Sequence, residues 1–101
     1  MFSFLSKLFG PGVDYKTLVQ EGALILDVRT PEEFKQGHIK SSKNIPLQVI
    51  SGRMAELKKQ NKVIIAVCRS GARSGAAVRM MRAAGIDAHN GGAWNALQSK
   101  I

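Results

Sequence analysis

Residues 62–67 read Lys-Val-Ile-Ile-Ala-Val, an apolar run unbroken after its first residue and too short for a buried helix. A run of this kind, without polar alternation, is the pattern of a strand covered on both faces, as strands of parallel sheets are. The chain then turns through Cys68-Arg69-Ser70-Gly71, where Gly71 permits a backbone conformation that a side chain would forbid. From Arg73 to Ala84, the apolar residues Ala76, Ala77, Met80, Met81 and Ala84 recur at helical spacing and predict an amphipathic helix. The only cysteine of the chain therefore falls between the carboxyl end of a strand and the amino end of a helix.

That position favours a negative charge, because the unpaired N–H groups of the loop and the first helical turn point inward. Arg69 and Arg73 add two positive charges within five residues of Cys68. Such surroundings lower a thiol from about 8.5 toward roughly 3.5–7.5, so Cys68 is expected to stand as a thiolate at neutral pH. The alternative, a buried core cysteine, would require an apolar pocket to desolvate both guanidinium groups.

The segment Cys68-Arg69-Ser70-Gly71-Ala72-Arg73-Ser74 resembles the active-site loop of the rhodanese family of sulfurtransferases, particularly its small single-domain members. Leu26-Asp27-Val28-Arg29 with Glu33-Phe34, Gly37-His38-Ile39, Asn44-Ile45-Pro46, and Gly91-Gly92 with Trp94 follow in the family's order. The resemblance implies an α/β fold, with a small, mostly parallel sheet of about five strands and helices on both faces. It implies a thiosulfate sulfurtransferase with no cofactor. The Cys68 thiolate would attack the sulfane sulfur of a small anionic donor, and the Cys68 persulfide would pass its sulfur to a thiol acceptor, either a small molecule or a thioredoxin-like protein. In that scheme Arg69 and Arg73 hold the oxyanion end of the donor, and the loop residues Ser70, Gly71, Ala72 and Ser74 complete the substrate-binding cradle. Asp27 and Arg29 support the crevice by hydrogen bonding and ion pairing.

The rest of the chain is consistent with one domain. Residues 1–9 place Phe2, Phe4, Leu5, Leu8 and Phe9 on one side of a helical projection, and Gly10-Pro11-Gly12 ends the pattern. This segment, 1–12, is expected to dock on its own domain in preference to a partner or a membrane, and it is too short to span a bilayer. The single domain is then 13–101. A short helix is expected over Val13–Glu21, a buried strand over Ala23–Val28, and a helix opening at Thr30-Pro31-Glu32-Glu33, with Thr30 as cap and Glu33 returning its hydrogen bond. Next come a short edge-like strand ending at Ile45, a helix carrying Leu47, Ile50, Met54 and Leu57 that Gly52 makes irregular at its start, a last strand over Ile86–His89, a turn at Asn90-Gly91-Gly92, and a terminal helix over Ala93–Ser99. Strands alternating with helices imply a parallel sheet covered on both faces.

Composition narrows the function classes. With one cysteine in 101 residues no internal disulfide exists, which suits a reducing cytoplasm. No Cys or His lies at metal spacing from Cys68, so no metal site is expected. The net charge of +8 is spread along the chain without a basic stripe, which argues for anionic small substrates over nucleic acid. His38 and His89 read as structural. Two rivals to sulfur transfer stand beside it. A phosphatase or arsenate reductase would place the loop arginine one residue further on, where this chain has Ser74, and would need a proton donor; Asp27 is the one candidate, and the supporting role suits it better. A persulfide-carrying or sensing module with little turnover would use the same loop.

Overall fold

The computed structural model describes residues 13–101, so the amphipathic segment and the Gly-Pro-Gly linker lie outside the described residues. Helix α1 (Tyr15–Gln20) begins where the Asp14 side chain accepts from the Thr17 amide at 3.1 Å, and leads into β1 (Leu24–Asp27). Helix α2 (Pro31–Gln36) opens on the expected capping box: Thr30 Oγ1 accepts from the Glu33 amide at 3.2 Å while Glu33 Oε1 accepts from the Thr30 amide at 3.1 Å. A two-residue strand β2 (Lys43–Asn44) follows, then a 3₁₀ stretch (Leu47–Arg53) that becomes helix α3 (Met54–Lys59). Strand β3 (Ile64–Cys68), helix α4 (Ala72–Ala83), strand β4 (Ala88–Ala93) and helix α5 (Trp94–Gln98) complete the order.

The sheet runs β2-β1-β3-β4 with every pair parallel. Among the described residues it has four strands, one at each place where the sequence pattern put one, against the five or so that the resemblance implied. All five residues of β3 are buried, and they divide between two cores as the pleat requires. Ile64, Ala66 and Cys68 join a cluster with Ile50, Leu57, Ala77, Val78 and Met81 from the 3₁₀ stretch, α3 and α4. Ile65 and Val67 join Leu18 of α1 and Leu97 of α5 on the other face. Each such aliphatic side chain taken out of water contributes ~1.5–3 kcal/mol, so the unbroken apolar run is what fixes the central strand between two helical layers. No helix among the described residues is long and apolar enough to cross a membrane.

The helix around Leu47–Leu57 starts irregularly, as expected from its glycine: it is 3₁₀ from Leu47 to Arg53 and α-helical only from Met54. One expectation needs correction. The last strand starts later than Ile86 and runs through Asn90-Gly91-Gly92 instead of turning there. It does so by a bulge: Asn90 lies opposite Ala66 and Gly92 opposite Val67, which leaves Gly91 as the extra residue. A Cβ on Gly91 would stand 2.8 Å from Ile65 Cγ2 and 3.0 Å from Val67 Cγ1, so close approach of the backbone to the core demands glycine here.

Candidate active site

Cys68 ends β3, and α4 begins four residues later. The reversal is made by Gly71, which has φ +101° and occupies the cap position of α4. This folds the loop over the sulfur. The Gly71 amide donates to Cys68 Sγ at 3.0 Å and the Ser74 amide at 3.4 Å, and the Ser74 hydroxyl lies 3.3 Å from the same atom. Cys68 is enclosed, with 1% of its surface exposed. Burial is the largest single influence on the thiol and pushes its pKa up. The Ser74 hydroxyl and the Ser74, Gly71 and Ser70 amides together outweigh it and hold the thiol below its ordinary value.

The loop is braced by a residue that the sequence reading treated only as part of a turn. Asn90, in the bulge of β4, accepts from the Ser74 hydroxyl at 2.7 Å and from the Gly92 amide at 3.0 Å through Oδ1, and donates through Nδ2 to the Gly71 carbonyl at 3.0 Å. Its own carbonyl accepts from the Tyr15 hydroxyl at 2.8 Å. A polar residue beside two glycines was the available sign, and it reads equally well as an ordinary turn.

The two loop arginines part company. Arg73 donates to both carboxylate oxygens of Glu33, at 2.7 and 2.9 Å, which holds the Glu33 carboxyl down to about 2 and raises Arg73 in turn. Of the expected influences on the thiol, the loop amides, joined by the Ser74 hydroxyl, are the ones that lower it most, while Arg73 keeps a Coulombic interaction with Cys68 alongside its pair with Glu33. Arg69 is exposed and makes no ion pair among the described residues. It lines a cavity of about 390 Å³ together with Gln36, Gly37, Trp94 and Asn95, with Arg29 and Glu33 on the remaining wall.

Asp27 and Arg29 form the floor beside it. Asp27 is fully buried and Arg29 4% exposed; Nε and Nη2 of Arg29 donate to the carboxylate at 2.8–3.1 Å, and the Arg29 amide adds a bond at 3.0 Å. Arg29 also donates to the carbonyls of Glu33 and Gly37, and its guanidinium lies 4.8 Å from the centre of the Trp94 ring. With both oxygens accepting from Arg29, Asp27 is arranged as a brace between β1 and α2. Asn44 donates to the carbonyls of Asp27 and Arg29, each at 2.9 Å, and so ties β2 to the same floor. His38 stacks on Phe34 at 3.7 Å, and His89 is buried on β4 with Nε2 3.0 Å from Asp87 Oδ1, outside hydrogen-bonding geometry. Ala72 opens α4 with an exposed methyl, and Ser70 is exposed at the loop's outer turn.

This is an α/β domain whose single cysteine sits at the carboxyl edge of a parallel sheet inside a ring of hydrogen-bond donors. The rhodanese-like domain model matches residues 13–98, and the chain belongs to that family. It is 46% identical over 54 residues to a sulfurtransferase of Allochromatium vinosum, covering 54% of this chain and 50% of that protein. It is 40% identical over 83 residues to thiosulfate sulfurtransferase 18 of Arabidopsis thaliana, covering 69% and 61%. The chain thus spans about half the length of the curated relatives it matches. The structure of an E. coli rhodanese solved with anions superposes with a TM-score of 0.67 at 29% identity, covering 73% of this chain and 89% of that one.

Proposed function

We propose that the chain is a sulfurtransferase that moves a sulfane sulfur from an anionic donor such as thiosulfate through a persulfide on Cys68. The observation that carries this reading is the convergence of the Gly71 and Ser74 amides and the Ser74 hydroxyl on one sulfur. The Cys68 thiolate attacks the outer sulfur of thiosulfate; the S–S bond of the donor breaks, sulfite leaves with the electron pair, and the persulfide remains. Arg69, exposed beside the loop, takes the oxyanion end of the donor, a task suited to a forked guanidinium. Arg73, locked to Glu33, contributes positive potential from one side. Sulfur transfer through a thiolate needs no strong proton donor, and Asp27, fully engaged by Arg29, is not arranged as one. That is the geometry's argument against a phosphatase.

A second nucleophile, cyanide in an assay or a thiol in the cell, then removes the sulfur, and the kinetics are double displacement. Intact mass after incubation with thiosulfate tests this directly. The native chain gains one sulfur atom and Cys68→Ser gains none; a reduced native chain that takes up no sulfur from any sulfane donor defeats the reading in favour of a binding module.

A further inference from the structure

Residues 2–9 lie outside the described residues, and their sequence sets Phe2, Phe4, Leu5, Leu8 and Phe9 against Ser3, Ser6 and Lys7 around a helical projection. Large apolar side chains in such a row need a matching surface. Among the described residues, the large apolar side chains left exposed are Val49, in the 3₁₀ stretch, and Ile101, at 48% and 37%. Val13, Tyr15 and Val19, where the segment joins the domain, already pack on the core of that face. The described surface thus offers the segment no apolar patch of its own size.

The edge from which the segment leaves is the one that carries the sulfur. The Tyr15 hydroxyl, at the start of α1, donates to the Asn90 carbonyl at 2.8 Å, and Asn90 Nδ2 donates to the Gly71 carbonyl of the cysteine loop at 3.0 Å. That edge is also positive. Lys16 follows Tyr15, and Arg79 reaches back along α4, so that its Nη1 and Asn90 Nδ2 would stand 3.8 and 3.3 Å from a Cβ on Gly75. Both cations are exposed and make no ion pair among the described residues. Asp14, which caps α1, is turned to the amide and hydroxyl of Thr17. The linker Gly10-Pro11-Gly12 spans at most about 10 Å when extended, close to the Debye length of about 8–10 Å at cellular ionic strength. Charges on this edge therefore act on whatever surface the segment enters.

Going beyond sulfur transfer, we propose that residues 2–9 enter the interface of a bilayer containing anionic lipid and hold the sulfur-bearing edge against its headgroups. A segment this short is marginal as a lone helix and cannot span, so attachment takes two signals. The phenylalanines and leucines supply apolar insertion. Lys7, Lys16 and Arg79, on a chain of net charge +8, supply attraction to the headgroups. An anionic bilayer uses both signals, whereas the apolar groove of a partner protein needs only the first.

Co-sedimentation of the full chain with vesicles tests this. Binding to vesicles of equal parts phosphatidylglycerol and phosphatidylcholine is expected to be at least about tenfold tighter than to phosphatidylcholine alone. The triple variant Phe4→Ser, Leu5→Ser, Leu8→Ser is expected to abolish it and leave the urea midpoint unchanged. Lys16→Gln with Arg79→Gln is expected to weaken it at least about threefold on the anionic vesicles alone. Trp94, the only tryptophan, follows Ala93, which pairs with Cys68, so a lipid with a nitroxide on its headgroup is expected to quench it in the bound chain. Equal binding to both vesicles, or none, overturns the proposal, as does a bound chain whose Trp94 stays unquenched. A urea midpoint lowered by the triple variant overturns it in favour of docking on the segment's own domain. A dimer that the triple variant dissociates, without vesicle binding, overturns it in favour of a second copy of the chain.

Discussion

The Ser74 hydroxyl stands 3.3 Å from Cys68 Sγ and has a single proton to give. Asn90 Oδ1 also accepts from it, at 2.7 Å, but retains the Gly92 amide at 3.0 Å if that proton is withdrawn. A neutral thiol can donate to the serine oxygen, whereas a thiolate draws the hydroxyl proton to itself. Ser74 thus favours the anion without leaving Asn90 Oδ1 bare. Ser74→Ala is expected to move the thiol's pKa upward, because the anion loses a hydrogen bond that the neutral form needs less. The rate of alkylation by iodoacetamide against pH checks it: the midpoint shifts to higher pH, and an unmoved midpoint removes Ser74 from this role.

Glu33 links the cap of α2 to Arg73 and makes the fold sensitive to acid. Its carboxyl lies at about 2 in the folded chain against an ordinary 4.5, chiefly through its hydrogen bonds with Arg73. The sign follows from the unfolded state holding the proton more tightly: the stabilisation is complete above about 4.5 and is lost as pH falls toward about 2. Urea midpoints measured from pH 7 to pH 3 should fall more steeply for the native chain than for Glu33→Gln, which should already be weaker at pH 7. Glu56, also held at about 2 by Arg53 and Lys43, is unchanged in both chains and drops out of the difference.

Removing one partner of the buried Asp27–Arg29 pair leaves the other uncompensated. Asp27→Ala is expected to destabilise the domain by about 3–5 kcal/mol. Equilibrium urea unfolding measures this, and a loss within the ~0–1 kcal/mol of an exposed ion pair would mean that Arg29 finds other partners.

At Gly91 the argument is steric. An alanine methyl would meet Ile65 and Val67 side chains at 2.8 and 3.0 Å and the Ala66 carbonyl at 3.2 Å. Gly91→Ala is expected to cost about 1–3 kcal/mol, the usual penalty of overpacking a filled core, and to disturb the bulge that presents Asn90. Gly52→Ala, with open space around the added methyl, is the control and should not weaken the fold in the same denaturation experiment.

The fold was legible where local signals agreed with the tertiary context. The unbroken run ending at Val67 gave a strand buried on both faces, and Thr30 to Glu33 gave a helix start with its reciprocal cap. It was misread where a local signal has two uses. Asn90-Gly91-Gly92 carries turn residues, but here the glycines serve a bulge packed against β3 and the asparagine braces the loop. In the site, Cys68 and its loop could be read from the chain because the chemistry lies within seven consecutive residues. The bond from Arg73 to Glu33 could not, since the two are 40 positions apart and either could have faced the sulfur or solvent.

The enclosure of Cys68 also governs what can meet it. A disulfide requires the two Cβ atoms to come within about 3.5–4.5 Å, an approach closed to a second folded chain while the sulfur is 1% exposed beneath Gly71 and Ser74. Two copies colliding in an oxidising buffer therefore stay separate on a non-reducing gel, even though each holds its thiol ready to ionise. The loop acts as a sieve, passing slender reagents while shielding the sulfur from cross-linking to its own kind.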